Sequence, residues 1–185
     1  LVEAAPHILP PFDAEMVLIA EKEMEDNGVA LILGDGVKSF ESSDEFIEVT
    51  TSSDRKLKAD MVVLAIGVTP ATAFLKDSGI ELGPKGHIVV NKKLETNAEG
   101  VYGVGDAIEV MDFVTGQKTA VPLAGPANKQ GRIAADNIAG LETTYEGTQG
   151  TAILKIFKLT AASTGANERT LQRLSIPYKT VFLHP

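Results

Sequence analysis

Residues 101–107, VYGVGDA, constrain this chain more than any other stretch. A short β-branched run ends at Gly105, and a carboxylate, Asp106, stands where the chain leaves the strand. Downstream, residues 123–131, LAGPANKQG, read as a loop feeding a helix N-terminus. Pro126 suits the first turn, where its missing N–H costs nothing. That helix continues through Arg132, Ile133, Ala134 and Ile138 and stops at Gly140. Free amides at 123–127, aided by the helix dipole, would favour electron-rich oxygen. A strand-end acid and a helix N-terminus can thus hold one polar, partly anionic ligand between them. The alternative role for Asp106 is a helix or turn cap. Gly103-x-Gly105 resembles the opening of a dinucleotide phosphate loop, but it lacks the third glycine and has a charge where the helix should start, so that reading is rejected. Gly34-x-Gly36 fails in the same way.

With 185 residues, 44% hydrophobic and 23% charged, the chain can bury a real core as one large domain or two small ones. Seventeen basic against 25 acidic residues gives a net charge of −8 without a Lys/Arg cluster. A surface tracking nucleic-acid phosphates is therefore not expected. No cysteine is present, so a disulfide, a thiolate metal site or a cysteine nucleophile cannot come from this chain. No apolar run is long enough to span a bilayer and no signal peptide is visible, which makes a cytoplasmic protein without membrane contact the expectation.

In chain order, residues 1–3 read as the end of a strand closed by Glu3. Such an acid can accept hydrogen bonds from an adenosine ribose, or simply be an exposed strand-end glutamate. The strand has no predecessor to pair with, which suggests a piece of something longer. A proline-stiffened loop leads to a helix over 14–27, with Asp13 as N-cap and Gly28 as its left-handed stop. Met16, Val17, Ala20 and Met24 form its core face. Residues 29–33 (VALIL) and 61–65 (MVVLA) read as buried strands, and 37–41 with 46–50 as an antiparallel pair. Gly67, just past the second apolar run, permits either a close backbone approach or a plain strand-to-helix turn. A short helix is expected over 71–77, a hairpin over 108–113 and 118–121, and strands over 88–90 and 96–99. After a glycine-rich connector at 143–150, strands at 152–157 and 159–164, a helix at 167–174 and a strand at 178–183 open a second small domain. His7, His87 and His184 share no metal-ligand spacing, so no metal site is expected. No catalytic residue is nominated either, since no Ser-His-Asp set has a nucleophile elbow.

These stretches together resemble the pyridine nucleotide-disulfide oxidoreductase superfamily, and within it the NADH oxidase, NADH peroxidase and coenzyme A-disulfide reductase branch. The matching runs are LVEA (1–4), AIGVTP (65–70), VYGVGDA (101–107), LAGPANKQGR (123–132), TQGTAI (148–153) and ASTG (162–165). The resemblance implies an α/β fold of partial FAD- and NAD(P)-binding sheets with the start of an α+β dimerisation domain. Residues 1–70 would be the later part of the NAD(H)-binding domain, 71–147 the return segment of the FAD-binding domain, and 148–185 the opening of the dimerisation domain of a homodimer. Asp106, after Gly105, would hold the flavin ribityl chain. Leu123, Ala124, Gly125 and Ala127 would place backbone amides beside the isoalloxazine, Ala124 foremost. Glu3 would contact the adenosine ribose of the nucleotide, favouring NADH over NADPH, and Gly67 and Pro122 would lie along the nicotinamide path.

The implied activity passes hydride from NAD(P)H through FAD to a small-molecule disulfide, persulfide, peroxide or oxygen acceptor. The branch's two glycine fingerprints and its redox cysteine do not occur in these residues. Two alternatives therefore stay open: a non-catalytic fragment or dimerisation module, and an NADH-dependent ferredoxin-type reductase.

Overall fold

The computed structural model describes residues 1–183. Its elements, in order, are β1 (Val2–Glu3), α1 (Ala14–Asp26), β2 (Ile32–Leu33), β3 (Val37–Ser42), β4 (Ile47–Thr51), β5 (Lys56–Ala59), β6 (Val110–Met111), β7 (Lys118–Thr119), α2 (Ala124–Ile138), β8 (Ala152–Ile156), β9 (Leu159–Ser163) and α3 (Glu168–Arg173). Two 3-10 turns, Ala73–Leu75 and Gly105–Ala107, complete the set. The chain is mixed α/β and divides into two compact units, residues 67–152 forming one and residues 1–66 with the segment from Ile153 onward the other.

In the first unit β1 and β2 run parallel, with Val2 opposite Ile32 and Glu3 opposite Leu33. Parallel neighbours need a crossover, and α1 supplies it. Val17 and Ala20 are buried on α1 beside Ile8, with Phe12, Met24 and Leu33 packed around them. Met16, expected on that face, is instead exposed. The buried place one turn on goes to Glu21, whose carboxylate accepts the Ile8 N–H at 3.2 Å and lies 3.2 Å from His7 Nδ1. A buried carboxylate needs such partners to offset its desolvation. Gly28 ends α1 at φ +84°, where a side chain would be strained. Asp13 occupies the N-cap position without a side-chain cap, because its Oδ1 accepts the Glu168 N–H at 2.8 Å.

Strands β3, β4 and β5 form an antiparallel sheet in that order. The last of them was not anticipated, although Lys56 to Ala59 alternate exposed and half-buried in a way suited to an edge strand carrying lysines. Two segments of the apolar reading are corrected. Within 29–33 only Ile32 and Leu33 form a ladder. Residues 61–65 form no strand, and Met61, Val63 and Leu64 are exposed. Hydrophobicity prescribes an apolar neighbour but does not supply a pairing edge, and among the described residues no strand pairs with this run.

The C-terminal hairpin β8–β9 sets Ile156 and Leu159 against the Ile8–Val17–Ala20 cluster. In α3, Asn167 is a true N-cap, its side chain accepting from the Thr170 N–H at 3.0 Å. Residues 178–183 are exposed and irregular rather than a strand, and His184 lies outside the described residues.

The second unit has its own core: Leu94, Ile108, Val110, Ile133, Ala134 and Tyr145, with Ile88, Val90, Tyr102 and Val121 packed against it. Each large side chain buried there contributes about 1.5–3 kcal/mol. The strands expected at 88–90 and 96–99 reduce to isolated bridges from Ile88 to Leu82 and Ile108, and from Glu95 to Tyr102. The expected 71–77 helix is only the 3-10 turn Ala73–Leu75. The 108–121 hairpin keeps two paired residues a side, Val110 with Thr119 and Met111 with Lys118. Among the described residues no helix is long and apolar enough to cross a membrane.

Candidate functional site

The corner at Gly105 is built by local constraints from both sides. Gly103 sits where an added Cβ would come within 2.9 Å of Val90 and 3.0 Å of Ile108, so the chain can pass the core only as glycine. Gly105 itself has φ +77°, a left-handed conformation that L side chains adopt at a cost. The strand expected up to Gly105 is only the Tyr102 bridge, so Asp106 lies in the 3-10 turn Gly105–Ala107 rather than at the end of a ladder. Its carboxylate is exposed and makes no hydrogen bond or ion pair among the described residues, and therefore caps nothing.

This turn packs against the first half of α2. A Cβ on Gly105 would lie 4.0 Å from that of Ala127. The tie between them is Gln130, 2% exposed, whose Oε1 accepts the Gly105 N–H at 2.7 Å. The sequence analysis assigns Gln130 no role. The available signal was its position on the face shared with Ile133 and Ala134, where a polar side chain must have a buried partner.

The N-terminus of α2 narrows the set of amides expected to be free. The Leu123 N–H donates to the Val121 carbonyl at 2.8 Å, and the Ala127 N–H donates to the Leu123 carbonyl at 3.2 Å. Pro126 has no N–H. Only Ala124 and Gly125 keep amides without an acceptor among the described residues, and no side chain caps the helix. The Leu123 amide is therefore taken by the loop carbonyl of Val121, and the Ala127 amide by the first intrahelical bond of α2, which leaves Ala124 and Gly125 as the available donors. Gly125 faces open space, and Pro122 is exposed just ahead of it. Ala127 lines a shallow groove with Asn128, Gly131, Arg132 and Ala135.

A flavin fits this set. The partnerless carboxylate of Asp106 suits polyol hydroxyls, and two unused amides at a positive helix end suit an electron-rich heterocycle oxygen.

Glu3, in the other unit, lies at the C-terminal end of β1, with Oε1 accepting the Ala5 N–H at 2.9 Å. The acid is thus oriented by the backbone that follows it. Gly67 has φ +107°, so its backbone needs glycine, and no atom of the described residues lies within 4 Å of an added Cβ. His7 pairs with Glu21, and no group of His, Asp and Glu among the described residues could hold a metal ion.

Comparison with known proteins gives these positions a context. Among curated relatives, an NADH oxidase of Methanocaldococcus jannaschii is 35% identical over 179 residues, 95% of this chain and 40% of that protein. A CoA-dependent NAD(P)H sulfur oxidoreductase of Pyrococcus abyssi is 34% identical over 172 residues, 93% of this chain and 38% of its own length. The chain thus spans about two fifths of the curated relatives it matches. Among solved structures, reduced Bacillus anthracis CoADR-RHD superposes with a TM-score of 0.92 at 45% identity, covering 97% of this chain and 32% of that one. A NAD-dependent persulfide reductase from A. fulgidus gives 0.91 at 32% identity, covering 94% and 32%. The family model described as pyridine nucleotide-disulphide oxidoreductase matches residues 1–131, from the Glu3 strand through the turn at Asp106 and into α2. Sequence, fold and relatives converge, and the chain belongs to the pyridine nucleotide-disulphide oxidoreductase family.

Proposed function

We propose that this chain supplies part of two cofactor sites in an FAD-dependent NAD(P)H oxidoreductase. Asp106 would accept hydrogen bonds from the flavin's ribityl hydroxyls, and the Ala124 and Gly125 amides would meet its electron-rich pyrimidine edge. Glu3 would accept from an adenosine ribose, and its charge would repel a 2′-phosphate, which favours NADH. Pro122 and Gly67 would lie along the nicotinamide path. The cofactor, when bound, supplies hydride acceptance and electron transfer. The residues of this chain bind it, orient it and set the field around it. The acceptor would be a small disulfide, persulfide, peroxide or oxygen; relatives named NADH oxidase and NAD(P)H sulfur oxidoreductase support an oxidase or sulfur-directed reading. On this reading residues 1–70, 71–147 and 148–185 belong to the nucleotide, flavin and dimerisation domains of a cytoplasmic homodimer.

The observation that carries the reading is the pairing of a partnerless carboxylate with a helix start that has two unused amides, both on elements locked together by Gln130. Asp106→Ala in the whole protein should lower the FAD retained after dialysis, read from visible absorbance against protein concentration. Undiminished flavin occupancy would remove Asp106 from the site.

A further inference from the structure

The loop between Glu3 and α1 is held at its start, its middle and its far end, and the last of these holds belongs to the C-terminal module. At its start, the Ala5 N–H donates to Glu3 Oε1 at 2.9 Å while the Ala5 carbonyl accepts the Gly34 N–H at 2.8 Å, so the loop orients the acid itself. In the middle, the Ile8 N–H and His7 Nδ1 both meet Glu21 of α1. At its far end, the Pro10 carbonyl accepts from Asn167 Nδ2 at 3.0 Å and from the Arg169 guanidinium, the Phe12 carbonyl lies 3.4 Å from Asn167 Nδ2, and Asp13 Oδ1 accepts the Glu168 N–H at 2.8 Å. A cavity of about 330 Å³ lies beside this contact, bordered by Pro6, His7, Pro10, Ala14, Glu168 and Gln172. The far end of the loop is therefore fixed by directed hydrogen bonds as well as by Phe12, which packs with Ile156 and Leu159 around the Ile8–Val17–Ala20 cluster.

We propose that Asn167 is a positioning residue for the nucleotide site: through the Pro10 carbonyl it lets the β8–β9–α3 module set the loop that orients Glu3, and so the affinity for NADH. This rests on the reading of Glu3 as a ribose ligand. The side chain is suited to the task because an amide has both kinds of group. Its Oδ1 caps α3 at Thr170 while its Nδ2 clamps the loop. A carboxylate at 167 would keep the cap and even favour the helix dipole. It would lose both donors and turn an oxygen toward two carbonyls. Local loosening of such a loop reduces the competent fraction and weakens apparent binding by that fraction.

The variant Asn167→Asp therefore separates clamp from fold. In the whole FAD-loaded protein, hydrogen exchange at the Ile8 and Phe12 amides should quicken, and the Kd for NADH should rise about three- to tenfold, the size expected for one or two lost hydrogen bonds. The flavin absorbance per chain should stay as it was. Arg169→Leu, on an exposed side chain, should move both readings the same way if Asn167→Asp folds poorly. Unchanged exchange would show that the clamp does not hold the loop. Faster exchange with unchanged NADH affinity would show that the loop does not govern the site. Either result overturns the proposal while Glu3→Gln still weakens NADH binding. Should Glu3→Gln leave NADH affinity unaltered, the ribose reading of Glu3 is what fails.

Discussion

Asp35 shows how an exposed acid can be tuned by its neighbours. The Ser53 hydroxyl donates to it at 2.6 Å and the Ser53 N–H at 2.9 Å, and these bonds, the hydroxyl foremost, with help from Thr51 and against a small desolvation, hold its pKa below the usual 3.8. Because the folded value is lowered, the stabilisation is fully present above pH 3.8 and is lost as pH falls through that lowered value. Ser53→Ala should move the Asp35 titration, followed by carboxyl carbon NMR, back toward its ordinary position. Tyr145 presents the opposite case. Its hydroxyl is buried in the second unit's core with no hydrogen-bond partner among the described residues. Leaving a buried hydroxyl unpaired costs about 1–3 kcal/mol. Tyr145→Phe is therefore expected to melt at the same temperature or higher, and a clear fall in melting temperature would reveal a partner for that hydroxyl.

Among the elements, α2 and the Gly105–Ala107 turn behave as one piece because a single buried amide oxygen joins them. Gln130→Leu keeps the volume and removes the acceptor, leaving the Gly105 N–H unpaired at a cost of about 1–3 kcal/mol. Calorimetric melting should show the loss, whereas Lys129→Leu, on the exposed side of α2, should melt like the parent chain. The sequence pattern located this helix because Pro126 suits its first turn and Gly140 ends it at φ +84°. It misjudged the first turn, since whether the Leu123 and Ala127 amides are free depends on one loop carbonyl and the helix's first residue. The same holds for α1. Val17, Ala20 and Gly28 were legible, but the destination of the Asp13 carboxylate was decided by Glu168, far away in sequence.

At the scale of the whole molecule, the apolar run at 61–68 is one of the least supported stretches of backbone among the described residues. Ile66 and Val68 are each 87% exposed, and residues 61–68 make no hydrogen bond among the described residues. Local opening is cheapest where buried contacts and backbone bonds are fewest. Limited chymotrypsin treatment should cut within 61–68, near Met61 or Leu64, before it cuts either long helix; cleavage in α1 or α2 ahead of this run would contradict this. The sequence by itself determined the element types that rest on short-range physics: the two long helices with their glycine stops, the β3–β4 pair, the glycines at Gly103 and Gly105, and an acid at Asp106 ahead of a helix start. It also carried the family likeness. Only the tertiary structure decided which apolar runs become strands, which amides stay free, and that Asn167 and Asp13 tie the C-terminal module to the loop after Glu3. The reason is range: a propensity or a cap is settled within one turn of chain, whereas a ladder, a buried partner or a clamp depends on residues that only folding brings within about 3 Å.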